Sequence, residues 1–199
     1  MSSTLTPALR HGWAGLRMIL VMTVILGLGY PLAMTGFAQV AFHHRADGSL
    51  VSRDGSSVGS ALIGQSFDGS PEYFQSRPSA AGDGYDPLAT SASNLAPTSP
   101  ELVKTVDERR VSVARLDGTD PADVTPDAVT ASGSGLDPDI SPTYAEQQVA
   151  RVAAARHLDP SVVARLVAEH TSERQLGFLG EPRVNVLLLN LALDAETRG

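Results

Sequence analysis

Residues 18–42, MILVMTVILGLGYPLAMTGFAQVAF, form an uncharged block of 25 residues bounded by Arg17 and His43. Wound as an α-helix at ~1.5 Å per residue, the block reaches ~37 Å, more than the ~30 Å of a bilayer's hydrocarbon core. Nine of the residues from 18 to 37 are Leu, Ile, Val or Phe, and on the insertion scale they favour the membrane by a few kcal/mol. Backbone in lipid satisfies its own hydrogen bonds, so the block is expected to be helical. Pro31 has no N–H, which places a kink near Gly27–Pro31. A secretory signal is the competing reading: Arg10 and Arg17 precede an apolar run, and Gly36-Phe37-Ala38 has the pattern of a cleavage site. The uncharged stretch runs well past a normal signal core, which favours an anchor.

Charge sets the expected orientation. Arg10 and Arg17 lie before the block, and all 22 acidic residues lie after it. From residue 46 onward there are 12 basic and 22 acidic side chains, a net of −10. The positive-inside rule then puts the N-terminus in the cytoplasm and the bulk of the chain outside. This predicts a cytoplasmic segment 1–15, a membrane helix 16–38 and an extracytoplasmic domain 39–199. That domain is large enough for a core of its own. With no cysteine in the chain, packing alone must hold it together. Its acidity argues against nucleic acid as a partner, because phosphate binding needs basic patches.

Past the block, Leu50-Val51 and Val58–Phe67 read as two short strands turning at Asp54-Gly55. Residues 68–100 are turn-rich, yet Tyr73, Phe74, Tyr85 and Leu95 are spaced through them, so an ordered irregular loop is expected. Ser99-Pro100-Glu101 opens a helix over 101–114 with Leu102, Val103, Val106, Arg110 and Val113 on one face and Arg109 and Arg110 at its solvated edge. Ser141-Pro142 opens a second helix, 142–156, and Asp159-Pro160 a third. The apolar run Val184–Leu193 is ambiguous between helix and buried strand, and a helix over 186–195 capped by Asn185 is preferred. The fold class expected is α+β: one N-terminal transmembrane helix followed by a single soluble mixed α/β domain.

There is no Walker-type phosphate loop, no dinucleotide-binding glycine motif and no serine elbow between a strand and a helix. The five histidines are scattered apart from His43-His44, which is no metal geometry. One stretch invites a functional reading: Ser132-Gly133-Ser134-Gly135-Leu136-Asp137-Pro138. Its small residues allow close backbone approach, and successive N–H groups there make an anion nest backed by the helix from Pro142. The plainer reading is a tight turn with glycine supplying a positive φ. Arg77 is a second candidate donor, with a structural bond to a carbonyl or a nearby Asp as the plainer role.

In order along the chain stand GYPLAMTG, GSLVSRDG, VGSALIGQSF, YFQSRPSA, SASNLAPTSPEL, VTASGSGLDPDIS, QQVARVAAAR and GEPRVNVLLLNLALD. In these eight blocks the sequence closely resembles KdpC, the small subunit of the bacterial Kdp potassium-transporting P-type ATPase, from about Gly29 to Asp194. It departs at Ala96, where the family often has Gly, and at Asp139, where it often has His. The resemblance implies a non-catalytic accessory subunit of a potassium uptake pump in the inner (plasma) membrane. Its implied partners are a subunit that hydrolyses ATP, a channel-like subunit that selects potassium, and the bilayer. It also implies assistance to ATP use, through a nucleotide contact at Ser132, Gly133, Ser134 and Gly135. The charge argument places those residues outside the cell, where ATP is scarce, and the topology takes precedence. No cofactor is therefore assigned to this chain itself; ATP enters only through the complex. Small residues of the anchor (Gly27, Gly29, Ala33, Gly36) are expected to pack on partner helices. The alternatives are a membrane-tethered extracytoplasmic enzyme using Ser132 or Ser134 with His157 or His170, and a binding module released near Ala38.

Overall fold

The uncharged block folds as part of one long helix. In the computed structural model, which describes residues 5–67 and 69–197, α1 (Leu5–Met22) runs through a π-helical segment (Thr23–Gly29) into α2 (Tyr30–Ala41). The stretch Pro7–Ala41 is long and apolar enough to cross a membrane by length and composition, and its apolar window is entirely exposed. The helix thus exceeds the span 16–38 on both sides. Where a kink is expected, the chain widens its turn. The Tyr30 N–H donates to the Ile25 carbonyl, five residues back. Pro31 has no N–H and its ring crowds the carbonyl four residues earlier, so a wider turn just before it absorbs the misfit. A short α3 (His43–Ala46) follows.

The chain divides into two compact units after Leu50; the second, residues 51–199, is called the head below. It contains most of a hairpin of β1 (Leu50–Arg53) and β2 (Ser56–Ser60). Asp54 and Gly55 turn it with φ of 52° and 80°, the left-handed pair that a tight hairpin requires. The second strand stops at Ser60, short of the expected Phe67. Beyond it the Gly64 N–H donates to the carbonyl of Leu136 at 2.8 Å, so the backbone turns away to join a distant loop.

The helices start where the cap signals stand, although Ser99 makes no side-chain capping bond to the first of them. Helix α4 (Pro100–Asp117) outruns the expected 101–114 and ends at Gly118 in the left-handed region. Its orientation differs from the spacing argument in two places. Val103 is 53% exposed, while Arg109 is half-buried and donates to the Val129 carbonyl. A one-turn α5 (Pro126–Val129) precedes the short strand β3 (Asp139–Ile140). The Ser141 hydroxyl accepts from Tyr144 N–H at the start of α6 (Pro142–Arg156), and the Asp159 carboxylate accepts from Ser161 N–H at the start of α7 (Pro160–Glu169). After β4 (Thr171–Ser172) and β5 (Arg183–Asn185) comes α8 (Val186–Glu196), where Asn185 accepts from Leu188 N–H as expected.

β5 lies between β3 and β4 in an antiparallel sheet, with Val184 opposite both Ile140 and Thr171. Phe74, Tyr144, Val152, Val163, Val184, Leu189 and Leu193 are among the residues of the core between sheet and helices. Phe74, from the turn-rich stretch, is 0% exposed. That stretch is ordered because it supplies core.

Candidate functional site

The Ser132–Pro138 loop joins α5 to β3. Its serines bend back on the backbone that follows them. The Ser132 hydroxyl accepts from the Gly135 N–H at 2.9 Å, and the Ser134 hydroxyl accepts from the Leu136 N–H at 3.1 Å. Two of the amides that an anion nest would present are therefore already engaged. The Gly133 and Ser134 N–H groups have no protein partner among the described residues, and both residues are exposed, whereas Ser132 and Gly135 are buried. The Ser134 carbonyl accepts from the Thr90 hydroxyl and from Ser91 N–H, and the Gly135 carbonyl accepts from the Ser79 hydroxyl. Gly135 has φ +70°, and a Cβ placed on it would stand 2.7 Å from both Ala81 N and Ser91 O. The glycine is there to let two backbones touch.

Arg77 takes the structural role. Its guanidinium donates to the Thr130 carbonyl and pairs with Asp137 at 3.1 Å, and the Tyr85 hydroxyl donates to the Arg77 carbonyl. A cleft of about 360 Å³ beside it is lined by Asp127, Asp137 and Asp139 among others. Each of these carboxylates is occupied. Asp127 accepts from Ser141 N–H, Asp137 pairs with Arg77, and Asp139 pairs with Arg183 at 3.0 Å. Burial pushes the Asp139 carboxyl above its ordinary range, opposed by the charge of Arg183. Among the described residues no cluster of three or more His, Asp or Glu has metal-holding geometry.

The serine–histidine pairs do not meet in any described hydrogen bond. His157 ends α6, at the far end of that helix from the loop, and the His170 ring is bonded to the Leu166 carbonyl at 2.9 Å. Gly55-Ser56-Ser57-Val58-Gly59 does have the Gly-x-Ser-x-Gly spacing, but it runs from the hairpin turn into β2 and leads into no helix.

The most elaborate polar construction in the head lies elsewhere, and the sequence reading missed most of it. It grips the irregular backbone from Ser70 to Gln75. Asn190, 2% exposed on α8, accepts from the Phe74 N–H at 2.9 Å and donates to the Phe74 carbonyl at 3.0 Å. Gln148 on α6 does the same for Gln75, at 2.7 and 3.2 Å. Arg151 donates to the carbonyls of Ser70, Pro71 and Tyr73, to Gln148, and to Asp117 at 2.7 Å. These side chains treat a loop as a strand, supplying the partners that a buried backbone must have. One turn on, Arg156 pairs with Asp194 at 2.6 Å and stacks 4.6 Å from the centre of the Tyr73 ring, while Arg53 reaches the same carboxylate. Burial alone would raise the Asp194 carboxyl, but the bonds from Arg156 and Arg53 outweigh it and hold it below its ordinary value. One signal was legible: Gln148, Asn190 and Asp194 are polar residues on apolar helix faces.

On the long helix, Gly29, Ala33 and Gly36 fall within about a third of a turn of one another, whereas Gly27, two residues before Gly29, lies on the opposite flank. A Cβ on Gly36 would meet nothing within 4 Å, and one on Gly29 would make only an ordinary contact, 3.5 Å from the Val24 carbonyl.

Compared with known proteins, residues 12–195 match the family described as KdpC: K+-transporting ATPase, c chain. A potassium-transporting ATPase KdpC subunit from Kineococcus radiotolerans is 61% identical over 193 residues, covering 97% of each chain. One from Gemmatimonas aurantiaca is 57% identical over 185 residues, covering 90% of this chain and 92% of its own. One from Mycobacterium tuberculosis is 55% identical over 181 residues, covering 90% and 95%.

Proposed function

This chain belongs to the KdpC family of potassium-transporting ATPase subunits, and from that premise we propose that it is a non-catalytic accessory subunit whose main work is to stabilise the assembled pump. The partners in this reading are the ATP-hydrolysing subunit and the channel-like, potassium-selecting subunit. The helix is the single anchor in the inner membrane, with the N-terminus cytoplasmic and the head extracytoplasmic. The observation that carries the proposal is a helix of 35 residues, none of whose apolar 18-residue window is buried, that presents a stripe of small residues. In lipid no hydrophobic force drives helices together, so close approach at Gly29, Ala33 and Gly36 is what a partner helix would use. Gly27 would serve a second neighbour on the opposite flank.

Assistance to ATP use is, in this reading, a consequence of assembly. Direct contact of ATP with Ser132, Gly133, Ser134 and Gly135 is the second reading, supported by the two exposed amides of Gly133 and Ser134.

One experiment separates the readings. Gly29→Leu and Gly36→Leu place a large side chain where the helix itself has room, so they are expected to reduce co-purification of the other subunits in mild detergent without disturbing the chain's own fold. Normal recovery with both variants would remove the packing claim. If ATP touches the loop directly, Gly133→Ala will instead raise the ATP concentration that the fully assembled complex needs.

A further inference from the structure

Between β4 and β5 the chain makes a hairpin in which every residue from 173 to 181 is exposed. Its tip is Leu176-Gly177-Phe178-Leu179, with Leu176 82%, Phe178 68% and Leu179 48% exposed. No other four consecutive described residues of the head carry three exposed large apolar side chains. A hairpin that wet should be polar, because exposed Leu and Phe contribute nothing to the head's own core.

The tip is also rigid. Gln175 and Leu179 exchange both backbone hydrogen bonds, each at 2.9 Å, and Arg174 pairs with Glu181 across the neck. Leu176 is held at φ +53°, a conformation in which a bulky side chain is strained and Asn or Gly is at ease. The head alone would be no worse off with Asn there. The leucine stabilises nothing within the head, so its use lies outside it.

We infer that this hairpin is a docking knob, and that its occupant is another subunit of the same potassium-transporting ATPase, which receives Leu176 and Phe178 in an apolar pocket. The inference rests on the reading that the chain assembles with those subunits. Charge argues for a protein over a lipid surface. The neck carries Glu173, Arg174, Glu181 and Arg183, two of each sign, on a chain whose net charge from residue 46 onward is −10. Anionic headgroups attract basic segments and repel such a surface. A mixed-charge rim around an aromatic and aliphatic tip is instead the anatomy of a protein–protein hot spot. The preformed turn adds to this, since little ordering is left to do on docking.

The test places a photoactivatable aromatic amino acid at position 178 of the full-length chain within the assembled complex. The expected product is an adduct to another ATPase subunit, identified by peptide mass. In parallel, Phe178→Ser and Leu176→Asn are expected to reduce recovery of the complex roughly tenfold, while Leu176→Asn leaves the melting temperature of the chain no lower than that of the parent. An adduct to lipid only, to a second copy of this chain, or to nothing would overturn the inference, as would unchanged recovery with both variants. The parent chain is the control: if it co-purifies with the ATPase subunits and position 178 still finds none, the knob fails and the accessory-subunit reading stands. If the parent does not co-purify, that reading is what has failed.

Discussion

Arg151→Met is expected to destabilise the head by about 3–5 kcal/mol, the range seen when one member of a buried ion pair is removed. The side chains of Arg151 and Asp117 are 5% and 1% exposed. Methionine fills the space but leaves the Asp117 carboxylate without its partner and removes a donor from the carbonyls of Ser70, Pro71 and Tyr73. One Asp117 oxygen already lacks a hydrogen-bond partner among the described residues, so the site has little reserve. Urea denaturation of the full-length chain in detergent measures the loss, and a variant as stable as the parent would show that the clamp contributes little.

The pH dependence of that loss has a definite sign. Burial raises the Asp117 carboxyl above 3.8 even in the parent, opposed by the hydrogen bond and charge of Arg151. A carboxyl raised in the folded state binds its proton more tightly than in the unfolded chain. Its contribution therefore favours folding at acid pH and is lost as pH rises from 3.8 through the folded value. Arg151→Met removes both opposing effects and raises the carboxyl further. The variant's deficit is expected to be largest at neutral pH and to shrink as the solution is acidified toward the ordinary carboxylate range. Adding Asp117→Asn to Arg151→Met removes the buried charge and is expected to recover part of the stability at neutral pH.

Gly135→Ala is expected to cost about 2–4 kcal/mol, combining a left-handed conformation with overpacking between two backbones. Its Cβ would lie 2.7 Å from both Ala81 N and Ser91 O, and neither atom belongs to a flexible side chain that can move aside. Gly133→Ala, two residues away, is the matched control. Nothing lies within 4 Å of its Cβ position, so its melting temperature is expected to stay within a degree or two of the parent. Equal effects at the two glycines would mean that the loop is not pinned between residues 81 and 91. The contrast also separates the roles of the SGSG stretch: Gly135 serves the fold, and only Gly133 and Ser134 face outward.

The long apolar helix, the helix starts and the helices from Pro142 and Pro160 were legible because their signals are local. An uncharged run, a Ser or Asp before a Pro, and an Asn before an apolar run act on their immediate neighbours, and α6, α7 and α8 begin where those signals stand. Family membership was legible for a different reason, since eight blocks in one order are a property of sequence itself. The end of β2 at Ser60 was not legible, because the bond that turns the chain just beyond it joins Gly64 to Leu136, 72 residues on from that glycine. Likewise Arg109 resembled a solvated edge until α5 brought the Val129 carbonyl to it.

What the sequence determined by itself is the long apolar helix, the helical caps and the presence of a packed aromatic in the turn-rich stretch. Tertiary structure decided how residues 70–75 are held and what the serines of the SGSG loop bond. A loop that buries Phe74 has no neighbouring strand of its own, so the hydrogen bonds of its inner backbone come from Gln148, Arg151 and Asn190 on helices far along the chain. Only folding brings those donors and acceptors within reach.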